Sequence, residues 1–199
     1  MNNLDKLFEL ASQEEIIIHY TTYIAGDLEG LYINKHGMKI ISLLSNLKQN
    51  TKKLTSILAE ELGHHFTSLG YYVSSYNDYY TKIIIDKCEN KALKWACEFL
   101  ITEEDIIGII NSGVTCVYEM ADILNVEINF FQKRLEFLSL KKQSLQLGNN
   151  KYLILTNLPY FYIFDPISLK IVVILTGLPV KSIYLFLTNF GFYKFNINI

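Results

Sequence analysis

The sequence predicts an α+β fold, mainly helical, with a small sheet ahead of its principal helix and a β-rich C-terminal extension. Three observations carry this. Apolar residues recur at helical spacing through residues 54–69, 87–101 and 114–137. Three short runs of strand-forming residues, at 16–18, 30–33 and 38–43, are punctuated by Gly26, Gly30 and Gly37. After Asp165 the chain carries no acidic residue and turns to Ile, Leu, Val, Phe and Tyr.

Taken in order, Leu4, Leu7, Phe8 and Leu10 suggest a short amphipathic first helix. The three strand segments follow. Thr51 or Thr55 is placed to cap the principal helix, which is expected to end near Gly70. The tyrosine-rich run 71–80 lacks a period and reads as a loop over one side of that helix. Residues 87–101 read as a second long helix, and Thr102 before Glu103, Glu104 and Asp105 marks the start of another. Residues 114–137 read as two short helices joined near Asn125, a helix-turn-helix-like unit. In the tail, Pro179 and the lysines interrupt every window long enough to span a bilayer, so paired strands around Gly177-Leu178-Pro179 are expected there. The expected division is a domain at 1–142 and an extension at 143–199.

Composition narrows the function classes. With half of its 199 residues apolar and a formal charge of −2, the chain is neither disordered nor globally basic. Its one arginine, Arg134, and Lys133 are offset by Glu127 and Glu136, which argues against a DNA-binding face on the helix-turn-helix-like unit. Packing against the rest of the domain, or a grip on a protein substrate, suits that unit better. Cys88, Cys97 and Cys116 form no C-x-x-C pair and read as reduced, mostly buried thiols. Residues 1–12 lack the apolar core of a secretory signal, so a cytoplasmic location is expected, with no membrane contact.

Chemistry concentrates at Glu60-Glu61-Leu62-Gly63-His64. Residues at i and i+4 on a helix share a face, so Glu60 and His64 can both reach one metal ion, as the two histidines of an H-E-x-x-H helix do. Glu60 stands where that motif has its first histidine and keeps an oxygen donor, which zinc accepts. Glu61 then occupies the position of the general base. His65 points about 100° away from His64 and reads as a partly buried aromatic-like contact. Nothing in the spacing of His19 or His36 ties them to a metal, and Trp95 shares helical spacing with Ala92 and Phe99 as a core residue.

The stretch 57–68, Ile-Leu-Ala-Glu-Glu-Leu-Gly-His-His-Phe-Thr-Ser, resembles the active-site helix of the ImmA/IrrE metallo-endopeptidases, in particular the branch found in bacterial phages and mobile elements. Lys91-Ala92-Leu93-Lys94-Trp95-Ala96, followed by Phe99-Leu100-Ile101, resembles that family's next helix, with its Glu-Ala-x-x-Phe-Ala pattern. Gly30-Leu31-Tyr32-Ile33 is similar to its preceding strand. The resemblance covers roughly residues 15–140 and implies a zincin-like domain that holds Zn²⁺ and cleaves a helix-turn-helix repressor of a mobile element or stress regulon.

It implies a third ligand at the position of Lys91, whose ammonium cannot ligate. Glu89, Asp86 and Asp78 are the candidate replacements, with Glu89 nearest in sequence. Two positions along a helix turn a side chain by about 200°, so Glu89 and Lys91 cannot both face the site. Should none serve, Lys91 would pair with Glu60 or Glu61 and the chain would act as a non-catalytic binding module on the same fold.

Overall fold

A computed structural model of the chain describes residues 2–67, 79–158, 160–165 and 170–174. The chain divides into two compact units, one formed by residues 1–102 and 121–134 and the other by residues 103–120 and 135–199. Among the described residues the secondary structure is mixed, with six α-helices and two small sheets.

The first unit opens on helix α1 (Asn3–Gln13), where the Asn2 side chain accepts the Asp5 N–H at 2.8 Å and Leu7 and Ala11 are buried. Strands β1 (Ile17–Thr21), β2 (Gly30–Lys35) and β3 (Met38–Leu44) follow in the spatial order β1-β3-β2. β1 runs parallel to β3 and β2 antiparallel to it. The β2–β3 hairpin turns through His36 and Gly37 at φ 52° and 81°, two left-handed residues whose twist matches that of the flanking strands. β2 is thereby an edge strand of this sheet.

Helix α2 (Thr51–Thr67) starts where expected, but neither threonine caps it. Asn50 does: its side-chain oxygen accepts the Lys53 N–H at 3.1 Å. Thr55 is a full turn inside, donating its hydroxyl to the Thr51 carbonyl, and Thr51 reaches the Asn125 side chain instead. Leu54, Leu58 and Leu62, at i, i+4 and i+8, bury one stripe of the helix together with Ala59.

Helix α3 (Tyr79–Leu100) starts earlier than the sequence suggests. Ile83-Ile84-Ile85 is β-branched, and Ile84 and Ile85 are exposed, so no apolar stripe signals a helix there. Such residues cost only tenths of a kcal/mol each, however, and extending a formed helix is far easier than starting one. Tyr79 and Tyr80 belong to this helix, while the remainder of the tyrosine-rich segment and the end of α2 near Gly70 lie outside the described residues.

The stretch 121–134 completes the first unit. It holds the end of α5 (Val117–Ile123), a turn at Asn125 with φ 52°, and the start of α6 (Ile128–Ser139). That turn is tied to the start of α2 by the Lys52–Asp122 ion pair at 2.5 Å and by Asn125 Nδ2 to Thr55 Oγ1 at 3.3 Å. Phe130 and Phe131 are buried, and Arg134, 4% exposed, donates from Nε to the Ile101 carbonyl at 2.7 Å. The one guanidinium of the chain thus satisfies the end of α3 and is not displayed on a helix face.

In the second unit, α4 (Glu103–Asn111) carries Glu103, Glu104 and Asp105 in its first turn, where carboxylates favour the helix dipole. Strands β4 (Ser144–Gly148), β5 (Lys151–Asn157), β6 (Tyr160–Asp165) and β7 (Lys170–Ile174) form an antiparallel sheet in sequence order. Asn149 and Asn150 supply the left-handed turn between the first two. Asn111 Nδ2 donates to the Leu147 carbonyl at 2.8 Å, and Lys142 pairs with Glu103 at 2.6 Å. The strands expected around Gly177-Leu178-Pro179 lie outside the described residues. No described helix is long and apolar enough to cross a membrane.

Because Asn50 satisfies an otherwise orphaned donor at the start of α2, Asn50→Ala is expected to lower stability by about 1 kcal/mol, read by urea denaturation. A change within about 0.3 kcal/mol of zero would mean that the cap lies elsewhere.

Candidate metal centre

On α2, Glu60 and His64 lie one turn apart on a single face, and α3 brings a carboxylate to His64. His64 Nε2 stands 3.2 Å from Glu89 Oε2, with the imidazole largely buried and the carboxylate 53% exposed. The sequence leaves Glu89, Asp86 and Asp78 open as partners. Of these, Glu89 is the one beside His64. Asp86 is exposed one turn earlier on α3, and Asp78 lies outside the described residues. Lys91, two residues from Glu89, is exposed, and among the described residues no ion pair joins it to Glu60 or Glu61.

The approach of the two helices explains why Glu89 is the residue presented. Gly63 and Ala92 meet at the crossing, where a Cβ on Gly63 would overlap the Ala92 carbonyl oxygen and stand 2.8 Å from its carbonyl carbon. Ala92 and Ala96 are fully buried. Glu89 precedes Ala92 by three residues and shares its face, whereas Lys91 is turned about 200° from Glu89. Neither Gly63 nor Ala92 is singled out by ligand spacing. The trace they leave in the sequence is a helix-breaking residue inside a strong helical pattern and small residues at 92 and 96.

Glu61 has a different environment. It is 9% exposed and lies against β2 at Gly30, where a Cβ would come within 2.7 Å of Glu61 Oε1 and 2.9 Å of its Cγ. The Tyr32 backbone N–H donates to the Glu61 carboxylate. Burial pushes this carboxyl up to about 7, against the pull of His64 and the Tyr32 N–H and with a further push from Glu60 and Glu89. Burial also raises Glu60, helped by the charge of Glu89 and opposed by His64. For His64 burial acts downward, but the Glu89 hydrogen bond and the charges of Glu89, Glu61 and Glu60 outweigh it and the imidazole is raised.

His65, expected as an aromatic-like contact, does meet Tyr32 and Phe66 edge to face at 5.4 and 4.7 Å. It also carries two hydrogen bonds. Tyr32 Oη lies 2.8 Å from Nδ1, and Glu14 Oε2 lies 3.2 Å from Nε2. A carboxylate only accepts, so Nε2 carries a proton, and in the neutral ring the phenol therefore donates to Nδ1. Lys39 Nζ holds the other end of this chain by donating to the Glu14 carbonyl at 2.9 Å. Glu29 and Lys53, paired at 2.6 Å, add a second tie between the start of β2 and α2.

Trp95 is not a core residue. It is half-buried and stacked between Phe66 at 4.6 Å and Phe99 at 5.0 Å, both partly exposed. A side chain of that size is seldom covered on every side, even when its spacing matches that of buried neighbours. The cysteines are also less uniformly buried than expected: Cys97 is buried, Cys88 half-buried and Cys116 exposed, all as free thiols.

The donor set suits a borderline cation. One imidazole and two carboxylates are ligand types that zinc accepts, and bonds of 2.0–2.2 Å at tetrahedral angles place two donor atoms about 3.3–3.5 Å apart. The 3.2 Å between His64 Nε2 and Glu89 Oε2 is close to that separation. Among the described residues no group of three His, Cys, Asp or Glu side chains is gathered closely enough to hold a metal ion. Compared with known protein families, with curated proteins and with solved structures, the chain matches none.

A buried carboxyl raised to about 7 sets a pH dependence. Between its unfolded value of 4.5 and about 7 the folded chain holds a proton that the unfolded chain has lost, so stability falls as pH rises through that window and levels above it. Glu61→Gln, whose amide oxygen can still accept the Tyr32 N–H, is expected to remove that fall. Without added metal it should be more stable than the parent by about 2–3 kcal/mol at pH 8. Equal pH slopes for the two proteins in chemical denaturation would show that Glu61 is not held in this way.

Proposed function

We propose that this chain is a zinc-dependent endopeptidase of the ImmA/IrrE type, with Glu60, His64 and Glu89 as protein ligands and Glu61 as general base. The observation that carries the reading is the meeting of His64 and Glu89 across two helices at a donor separation suited to one ion. A zincin-like arrangement, with the ligand helix packed beneath a small sheet, is the finer form of the α+β fold proposed here.

Bound between these side chains, zinc would supply Lewis acidity that polarises a peptide carbonyl and acidifies a water molecule. Glu61 does the proton work. A carboxylate beside that water molecule can take its proton and pass it to the leaving amine. The Tyr32 N–H holds it in place, and Gly30 leaves room for it under β2. Glu60 brings a negative charge where an H-E-x-x-H helix has a neutral imidazole, which weakens the Lewis acidity of the site and makes turnover slow. The substrate class implied by the resemblance is a helix-turn-helix repressor.

A second reading has an observation of its own. With His64 protonated, His64 and Glu89 satisfy each other as an ion pair, and the chain would then act on its partner by contact alone. Metal content separates the two. Protein purified without chelator is expected to hold about one Zn²⁺, and His64→Ala to lose it; no metal in the parent after zinc is supplied would leave the contact reading.

Glu61→Gln is expected to keep the metal and stop cleavage, since an amide cannot take the proton. Proteolysis surviving in that variant would remove Glu61 from the role of base. Lys91→Glu is expected to leave zinc affinity within about threefold, because residue 91 points away from His64. A rise of tenfold or more in a calorimetric titration would place the third ligand at 91.

A further inference from the structure

We propose that Gly63 is a positioning residue of the metal centre. By letting α2 and α3 touch backbone to backbone, it fixes the gap that His64 and Glu89 must close, so that the site needs both a glycine at 63 and the full length of a glutamate at 89. This inference rests on the metal-site reading above and adds to it what sets the spacing of the donors.

Gly63 adjoins His64 in sequence, and the backbone it meets belongs to Ala92, three residues after Glu89. A Cβ at Gly63 would overlap the Ala92 carbonyl oxygen, and its other near neighbours are the Ala92 carbonyl carbon at 2.8 Å and Cα at 3.0 Å. These are main-chain atoms of a helix, which cannot swing aside as the tip of a long side chain can. A methyl group at 63 must therefore push the helices apart. In the opposite direction they are already in contact and cannot close further.

Glycine inside a helix is about 1 kcal/mol worse than alanine, so local propensity alone would favour alanine at this position. The small, fully buried Ala59, Ala92 and Ala96 add no bulk of their own on the two helices. With the backbones fixed, the reach of residue 89 decides whether the donors meet. At 3.2 Å the His64–Glu89 pair is in direct contact. Aspartate keeps the carboxylate but shortens the side chain by one carbon–carbon bond, about 1.5 Å, and a rigid crossing cannot make up that loss.

The test is a zinc titration of the full chain against a competing chromophoric chelator, for the parent, Glu89→Asp, Glu89→Gln, Gly63→Ala and the Gly63→Ala/Glu89→Gln double variant. Circular dichroism checks that each is folded. Glu89→Asp is expected to lose as much affinity as Glu89→Gln, tenfold or more. Gly63→Ala is expected to lose a similar factor, and Glu89→Gln in that background to lose less than threefold more. Were Gly63 important only for stability, Glu89→Gln would cost the same factor in both backgrounds, which overturns the proposal.

Glu89→Asp binding within threefold of the parent would also overturn it. That comparison changes only a half-exposed side chain, so it decides the matter by itself if Gly63→Ala fails to fold. Absence of zinc binding by the parent would instead overturn the metal reading, and this inference with it.

Discussion

The backbone contact of α2 and α3 at Gly63 and Ala92 is the constraint on which the candidate site depends. Glu60 and His64 come from one helix and would share a face in any isolated copy of it. Glu89 comes from another, and only the crossing decides that it, and neither Lys91 nor Asp86, stands beside His64. Once the crossing is fixed, the electrostatics of the site follow from it. Burial and the charge of Glu89 make Glu60 and Glu61 harder to ionise, Glu60 adds to this at Glu61, and all three carboxylates make His64 easier to protonate.

A second constraint acts on Glu61 from the other side of α2. The missing side chain at Gly30 lets β2 lie against the carboxyl, and the Tyr32 N–H gives it a partner. The same tyrosine reaches His65 through its phenol, and His65 reaches Glu14 beyond α1. The chain of hydrogen bonds therefore joins the edge strand, the ligand helix and the segment after the first helix around the proposed base. One face of α2 carries Glu60 and His64, and the next carries Glu61 and His65 together against β2.

Local patterns make part of this legible in the sequence. The i, i+4 spacing of Glu60 and His64 needs only a helix, and the leucine stripe at 54, 58 and 62 supplies it. The three strands and the break at Asn125 are likewise visible, because glycine, asparagine and alternating apolar residues mark them locally. What depends on long-range packing is not. The early start of α3 is hidden by a β-branched, exposed stretch, the cap at Asn50 by Thr51 and Thr55 shortly after it, and the half-exposed stacking of Trp95 by its regular spacing. The choice between Glu89 and its rivals needs the helix crossing, which no spacing within one helix can reveal.

X-ray absorption at the zinc edge of the stoichiometric complex reads the proposed ligand set itself. The expected first shell is one imidazole nitrogen with carboxylate or water oxygens at about 2.0–2.2 Å and no sulfur. A shell of oxygens alone in the parent protein, or one with a thiolate at about 2.3 Å, would contradict the assignment of His64 and its two carboxylate partners.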